Sequence, residues 1–214
     1  MSFLSYLING ISLGSVYAII ALGYTMVYGI ARMLNFAHGD IIMVGGFVIF
    51  TMVSTLGLPP MVGVLVAVIA CTVLGVVIER VAYKPLRGAS SLAVLITAIG
   101  VSYLLQNVAL LIFGSNARQF TSVVNVPSLK LAGGALSISG VTLVTIITCI
   151  VIMVALTTFI NKTRVGQAML AVSEDTGAAT LMGINVNSTI AITFAIGSAL
   201  AAIAGALLCS AYPS

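Results

Sequence analysis

The sequence predicts an all-α fold, a bundle of about six membrane-spanning helices that forms a single transmembrane domain over residues 1–214. Hydrophobic residues make up 61% of the chain and charged residues only 6%, whereas soluble domains carry about 25% charged residues. The mean hydropathy is +1.26. Six apolar runs approach or exceed the length of about 20 helical residues that crosses a bilayer. The composition therefore indicates an integral membrane protein, and the net charge of +4 does not indicate a nucleic-acid-binding surface.

Six apolar runs set the order of the predicted spans. They are Phe3–Ile30, Ile41–Leu56, Met61–Ile78, Leu92–Phe113, Ile138–Ile160 and Ser188–Leu208. Three of them carry small residues at four-residue spacing, which is typical of helices that pack closely in lipid. These small residues are Gly10, Gly14 and Ala18; Gly63, Ala67, Cys71 and Gly75; and Gly197, Ala201 and Gly205. The spacing predicts three close-packing helix faces.

The basic residues predict an orientation in the membrane. If the six spans alternate, Arg32, Arg80, Lys84, Arg87, Lys162 and Arg164 share one side, and Arg118 and Lys130 share the other. Cytoplasmic loops are enriched in Lys and Arg, so the larger set is predicted to be cytoplasmic and the N-terminus extracytoplasmic. The first run has no basic residue before it, which argues against a cleaved signal peptide.

The loop between the last two runs, residues 161–187, has the pattern of two short amphipathic helices. The first has apolar residues at spacings of three and four, namely Val165, Ala168, Met169 and Val172. Ser173 is predicted to cap the second helix, with Glu174 and Asp175 in its first turn. Its apolar side comprises Ala178, Ala179, Leu181 and Met182, and Gly183 is predicted to end it. The loop is predicted to lie either against a partner protein or on lipid headgroups.

A polar interruption at residues 31–40 is the second candidate functional element. Asn35, His38, Gly39 and Asp40 separate two apolar runs, and Gln106 and Asn107 place adjacent carboxamides inside the fourth run. Broken helices often mark a transport path, and carboxamides in a span must face protein or water. These six residues are the candidate translocation path. The alternative is a cytoplasmic hairpin in which His38 and Asp40 face water.

The remaining polar break, Glu79–Gly88, is interpreted as a positive anchor at the membrane edge, with Glu79 paired to Arg80 or Lys84. The sequence has no phosphate-binding glycine-rich loop, nucleophile elbow or zinc-ligand spacing. The chain is therefore predicted to be neither an enzyme nor a metal-binding protein.

Several segments carry a family resemblance. They are Asn35–Gly39 (Asn-Phe-Ala-His-Gly), Glu79–Gly88, Gly166–Asp175 and Ala178–Asn185. The chain resembles the branched-chain amino-acid (Liv-type) permeases of ABC importers from Asn9 to Tyr212. Family members usually continue for about two further spans, so the resemblance implies a chain truncated at its C-terminus.

The resemblance implies an inner-membrane permease subunit that imports branched-chain or other small amino acids by alternating access. It implies no cofactor on this chain, with ATP bound by separate ABC ATPase subunits. Further implied partners are a second homologous permease subunit and an extracytoplasmic substrate-binding protein. The loop at residues 161–187 would be the coupling loop that docks on the ATPase. Its implied contact residues are Gly166, Ala168, Glu174, Asp175, Ala178, Ala179 and Gly183.

Three alternatives remain open on the sequence. The first is a sugar-type ABC permease of similar architecture. The second is an ATP-independent channel or secondary carrier, although ion-coupled carriers usually need acids inside their spans. All four acids of this chain are predicted to lie in or beside loops. The third alternative is a non-transporting assembly subunit.

Overall fold

The computed structural model describes residues 2–116, 119–120, 122–124, 126–131 and 136–212, and Arg118 lies outside them. The helices in chain order are α1 (Ser2–Ala31), α2 (His38–Phe50), α3 (Pro60–Ile78), α4 (Ser91–Phe113), α5 (Gly140–Lys162), α6 (Arg164–Glu174), α7 (Thr176–Leu181) and α8 (Val186–Ala211). Within this part of the chain, six helices are long and apolar enough to cross a membrane. The predicted polytopic helical bundle is therefore confirmed.

Helix α8 lies at the centre of the bundle and contacts α1, α2, α3, α5 and α6. Buried residues make up 67% of its most apolar stretch, against 11% in α4 and in α5. Its small residues permit this position, because a Cβ atom added at Gly205 would lie 2.8 Å from the carbonyl oxygen of Ile42. Neighbouring backbones therefore approach α8 closely, as the small-residue spacing predicts.

The predicted small-residue faces differ in what they contact. A Cβ atom at Gly75 of α3 would lie 2.7 Å from Ser198 Cβ and 3.1 Å from the Phe194 carbonyl oxygen, so this face packs tightly on α8. By contrast, Gly10 and Gly14 of α1 are exposed, and an added Cβ atom would meet nothing within 4 Å. At Gly10 and Gly14, the face of α1 therefore has no close neighbour in the described part of the chain, whereas Ala18 packs beside the cluster that includes Ile19.

Helix α3 continues beyond the predicted start of its polar break. A π-helical turn (Glu79–Tyr83) and a 3₁₀ turn (Lys84–Leu86) extend it. Two buried side chains hold the extension in the bundle. Glu79 is 1% exposed and forms an ion pair with Arg87, and the ring of Tyr83 lies 5.2 Å from that of Phe194. The predicted pairing of Glu79 with Arg80 or Lys84 is wrong, because the chain folds back after α3 and brings Arg87 to the carboxylate.

The connection between α4 and α5 holds two short strands, β1 (Leu129–Leu131) and β2 (Leu136–Ile138). They pair antiparallel, with Leu129 opposite Ile138 and Leu131 opposite Leu136. The strands are three residues each and leave the helical fold class unchanged.

Hydrogen bonds join the ends of several helices at one end of the bundle. Arg32, just after α1, donates a hydrogen bond to the carbonyl oxygen of Ser173 in α6 at 2.6 Å. Arg87, before α4, donates to Oδ1 of Asn187 at the start of α8. The α6–α7 segment and the break after α3 therefore lie at the same end, as alternating spans require.

Candidate functional site

Helix α2 begins inside the bundle, not at its surface. The His38 ring lies against α1, where a Cβ atom at Gly23 would be 2.9 Å from its Cε1 atom and 3.1 Å from the carbonyl oxygen of Gly197. Gly23 is eight residues before the end of α1, and Gly197 is eleven residues after the start of α8. At 1.5 Å per residue, α2 starts roughly 12–17 Å inside the ends of these helices. Residues 32–37 thus lead from the end of α1 back into the bundle, which excludes the surface hairpin.

The segment that precedes α2 is held by Tyr83, which lies in the extension of α3. Arg32 has a φ of 55°, a left-handed conformation in which the chain turns back after α1. The Tyr83 hydroxyl donates to Oδ1 of Asn35 at 3.2 Å and lies 3.3 Å from the Leu34 carbonyl oxygen. Asn35 is only 2% exposed. Backbone that leaves a helix at membrane depth must be satisfied by protein or water, and Tyr83 supplies part of that satisfaction.

His38 is the buried polar group with the least support at this break. It is 3% exposed, and neither ring nitrogen has a well-formed hydrogen bond in the described part of the chain, although the backbone of Ile20 lies beside the ring. The Tyr24 ring meets it edge-on with centroids 6.1 Å apart. A buried polar group without a good partner costs stability, and the two ring nitrogens of His38 are such groups in the described part of the chain.

Asp40 forms a polar contact with α4. Its Oδ1 atom accepts a hydrogen bond from Nε2 of Gln106 at 3.0 Å, and the same nitrogen lies 3.1 Å from Oγ of Ser102. Asp40 is 7% exposed. The expectation that all four acids lie in or beside loops is therefore wrong for two of them. Asp40 lies within the bundle because α2 starts there, and Glu79 lies within the extension of α3.

The structure brings five of the six candidate path residues to the start of α2 and leaves Asn107 apart. Asn35, His38, Asp40 and Gln106 surround the start of α2. Gly39 is exposed beside them. Asn107 instead turns outward, where its Nδ2 atom donates to the Tyr103 carbonyl oxygen of its own helix at 2.7 Å.

Two members of this polar cluster, Tyr83 and Ser102, are not among the path residues predicted from the sequence. Tyr83 belongs to a segment that was interpreted only as a basic anchor, and Ser102 lies one helical turn before Gln106. The four-residue spacing of Ser102 and Gln106 was a usable signal. Nothing in the sequence pointed to Tyr83, because its role depends on how α3 meets the segment after α1.

The α6–α7 segment contains two helices, as predicted, but their junction differs. Asp175 is the N-cap of α7, with its Oδ1 atom accepting from the backbone N–H groups of Gly177 at 2.7 Å and Ala178 at 3.0 Å. Ser173 was predicted to cap this helix, yet its hydroxyl donates to the Leu170 carbonyl oxygen within α6. Glu174 is the last residue of α6. Asp175 takes the capping position because α6 runs two residues further than the apolar spacing indicated.

Gly183 ends the second helix as the sequence predicts. Its φ is +82°, a conformation that glycine adopts without steric cost. Its N–H group donates to the Thr180 carbonyl oxygen and that of Ile184 donates to the Ala179 carbonyl oxygen, both at 3.0 Å. These two bonds form a Schellman motif.

The candidate coupling residues fall into inward and outward groups. Gly166 and Ala179 are buried and Ala168 is half-buried, whereas Glu174, Asp175, Ala178 and Gly183 are exposed. The most exposed apolar side chains of the segment are Leu181 at 90% and Met182 at 83%. Leu181 and Met182, which the sequence places on the apolar side of the second helix, form an exposed apolar tip.

Comparison with known proteins places the chain in a family. Residues 6–213 match the family described as "Branched-chain amino acid transport system / permease component". The chain belongs to this family of transport permeases. It is 40% identical to the high-affinity branched-chain amino acid transport system permease protein BraD of Pseudomonas aeruginosa, across 96% of this chain and 70% of that protein.

Other permeases of the family give the same result. The chain is 42% identical to the permease protein LivH of Escherichia coli K12, again across 96% of this chain and 70% of the relative. It is 28% identical to a probable branched-chain amino acid transport permease of Methanocaldococcus jannaschii, across 89% of this chain. No solved structure matches. The resemblance drawn from the sequence is confirmed, and the chain is a multi-pass membrane permease subunit.

Proposed function

We propose that this chain is the membrane-spanning subunit of an ABC importer for branched-chain or other small amino acids, driven by separate ATPase subunits. The observation that carries the proposal is the apolar tip of the α6–α7 segment, where Leu181 and Met182 are 90% and 83% exposed. In this member of a permease family, the tip lies at the end of the bundle that also holds Arg32 and Arg87. Apolar side chains exposed together mark protein or membrane contact sites, and in this permease we infer that the tip contacts the ATPase.

The α6–α7 segment is attached firmly enough to transmit a movement. Met169 and Val172 are buried, at 0% and 1% exposed, and α6 contacts α1, α5 and α8. The hydrogen bond from Arg32 to Ser173 joins it to the end of α1. The His38 ring lies beside the contact of α1 with α8, so a displacement of α6 reaches the start of α2 through two helices. The ATPase states must contact the apolar tip differently for this coupling to drive a change.

The transport path is proposed to run beside the start of α2 and the outward face of α4. Gln106 and Asn107 are exposed on α4, and Asp40 lies behind Gln106. Such groups within a span must face protein or water instead of lipid. A second, homologous permease subunit covering this face would enclose them in a polar passage between the two subunits.

The substrate class follows from the relatives, which are named as branched-chain amino acid permeases. Delivery by an extracytoplasmic binding protein and location in the inner membrane, with the N-terminus outside, complete the proposal. The basic residues at the α6–α7 end of the bundle support that orientation.

Reconstituted transport tests the proposal. Proteoliposomes carrying this chain with its partner permease and ATPase subunits should take up labelled leucine only with binding protein outside and ATP inside. Replacement of ATP by a non-hydrolysable analogue is the control and should abolish uptake. Equal uptake without ATP would contradict the proposal.

The buried carboxylate of Asp40 favours one second candidate, an ion-coupled carrier, since such carriers use acids inside their spans. A proton or sodium gradient alone would then drive leucine uptake, and Asp40→Asn would abolish that gradient-driven component. The ABC proposal predicts no uptake from either gradient in the absence of ATP.

A further inference from the structure

A groove of about 440 Å³ opens between the extension of α3 and the start of α8. Its polar end is lined by Arg80, Lys84, Asn185 and Ser188. Arg80 and Lys84 are exposed and stand at the end of one span, while Asn185 and Ser188 stand at the start of another. The polar end of the groove therefore lies where the bundle meets the membrane surface.

The two cations of the groove are not neutralised within the described part of the chain. The one acid in the groove, Glu79, is buried and pairs with Arg87. Arg87 also donates to Asn187. This arrangement engages the one acid that lines the groove, so Arg80 and Lys84 present a positive charge to whatever enters it.

The other end of the groove is apolar and runs into the span. Val76 lies one helical turn before Arg80 in α3, and Ile192 and Ala195 follow Ser188 by one and two turns in α8. Both sets lie deeper in the bundle than the cations. The groove is thus amphipathic along the membrane normal, with cations at the surface and aliphatic walls below them.

We propose that this groove binds an anionic phospholipid, with the headgroup phosphate at Arg80 and Lys84 and an acyl chain along Val76, Ile192 and Ala195. Arginine and lysine form strong charge-assisted hydrogen bonds with phosphate oxygens. Basic pockets between membrane helices at the cytoplasmic surface suit such headgroups. The aliphatic wall selects a lipid over a free phosphate, which would leave it uncovered.

The lipid would join the extension of α3 to the start of α8, next to the α6–α7 segment that is proposed to couple to the ATPase. The groove includes Asn185, which caps α8 by accepting from the Ser188 N–H group at 3.1 Å and follows α7 directly. A lipid held between α3 and α8 would thus brace the base of the α6–α7 segment. Its binding does not depend on which substrate the transporter carries.

Native mass spectrometry of the intact transporter complex, released from nanodiscs of equal phosphatidylglycerol and phosphatidylcholine, tests the site. The complex should retain phosphatidylglycerol in preference. The double variant Arg80→Gln/Lys84→Gln should lower that retention by about tenfold. The matched control, Lys162→Gln/Arg164→Gln, removes two exposed cations from the same end of the bundle and should leave retention unchanged.

Two further measurements keep the outcome decisive. The charge-conserving exchange Arg80→Lys/Lys84→Arg should assemble normally and keep most of the bound phosphatidylglycerol. Inorganic phosphate at millimolar concentration should not displace it. Equal retention of both lipids, an unchanged double variant, or full displacement by phosphate would each overturn the proposal.

Discussion

Single atoms decide the packing of the central helices, and Gly75 is the clearest case. An added Cβ atom would come within 2.7 Å of Ser198 Cβ, and the Phe194 carbonyl oxygen blocks relief at 3.1 Å. We expect Gly75→Val to lower the free energy of unfolding by about 1–3 kcal/mol, as in other overpacked cores. Thermal unfolding of the purified protein in detergent measures the change.

The matched control for Gly75 is Gly14, which lies on another predicted small-residue face but has no atom within 4 Å of an added Cβ. Gly14→Val should leave the midpoint of thermal unfolding equal to that of the parent within the error of the measurement. Equal losses in the two variants would show that small residues matter here for a reason other than helix contact within this chain.

Replacement of His38 should lower transport without lowering the stability of the protein. A leucine at this position removes two ring nitrogens that lack well-formed hydrogen bonds in a site that is 3% exposed. Because an unsatisfied buried group costs about 1–3 kcal/mol, His38→Leu should be at least as stable as the parent. If the imidazole lines the path, leucine uptake should nevertheless fall severalfold. Normal uptake at normal expression would remove His38 from the proposed path.

At the scale of elements, the sequence predicted the two helices of the α6–α7 segment correctly but not the residue that caps the second helix. Apolar spacing located both helices, and Gly183 marked the end of the second. Ser173 and Asp175 are both good capping residues, and their order in the chain could not decide between them. The choice depends on how far α6 extends, which its packing on α1, α5 and α8 determines.

The end of α7 offers a local test, because Gly183 has a φ of +82° and Gly177 does not have a positive φ. A side chain at Gly183 should cost roughly 1–2 kcal/mol. Gly183→Ala should therefore speed hydrogen exchange at the Ile184 amide by roughly 5–30-fold. Gly177→Ala, where the added Cβ atom would lie 3.1 Å from the capping oxygen of Asp175, should perturb only the first turn of α7 and leave exchange at the Ile184 amide unchanged. Unchanged exchange in Gly183→Ala would mean that the Schellman motif does not hold this helix end.

For the molecule as a whole, composition and run length were enough to predict the six spans, since each depends on local sequence alone. The intramembrane start of α2 could not be assigned, because the Asn35–Asp40 segment reads equally well as a surface turn. Its position depends on contacts with Gly23, Tyr83 and Gln106, which are distant in sequence. The pairing of Glu79 with Arg87 likewise could not be assigned, because it depends on how the chain folds back after α3.

The orientation of the whole chain in the membrane can be tested by cysteine labelling. Single cysteines at Lys84 and Lys162, in a background without Cys71, Cys149 and Cys209, should react with an impermeant thiol reagent only after the membrane is opened. A cysteine at the exposed Asn116, at the other end of α4, should react in intact cells. Labelling of position 84 from outside would reverse the orientation.

In the proposed mechanism, another chain hydrolyses ATP and drives this one through the α6–α7 segment. The most direct measurement is binding-protein-stimulated ATP hydrolysis by the reconstituted complex, compared between the parent, Leu181→Ser/Met182→Ser and the control Lys162→Ser. The tip variant removes exposed side chains only, so it should insert and assemble with its partner permease. Its stimulated hydrolysis and its retention of the ATPase should fall at least tenfold, while the control matches the parent. Parent-level hydrolysis and retention in the tip variant would contradict the account.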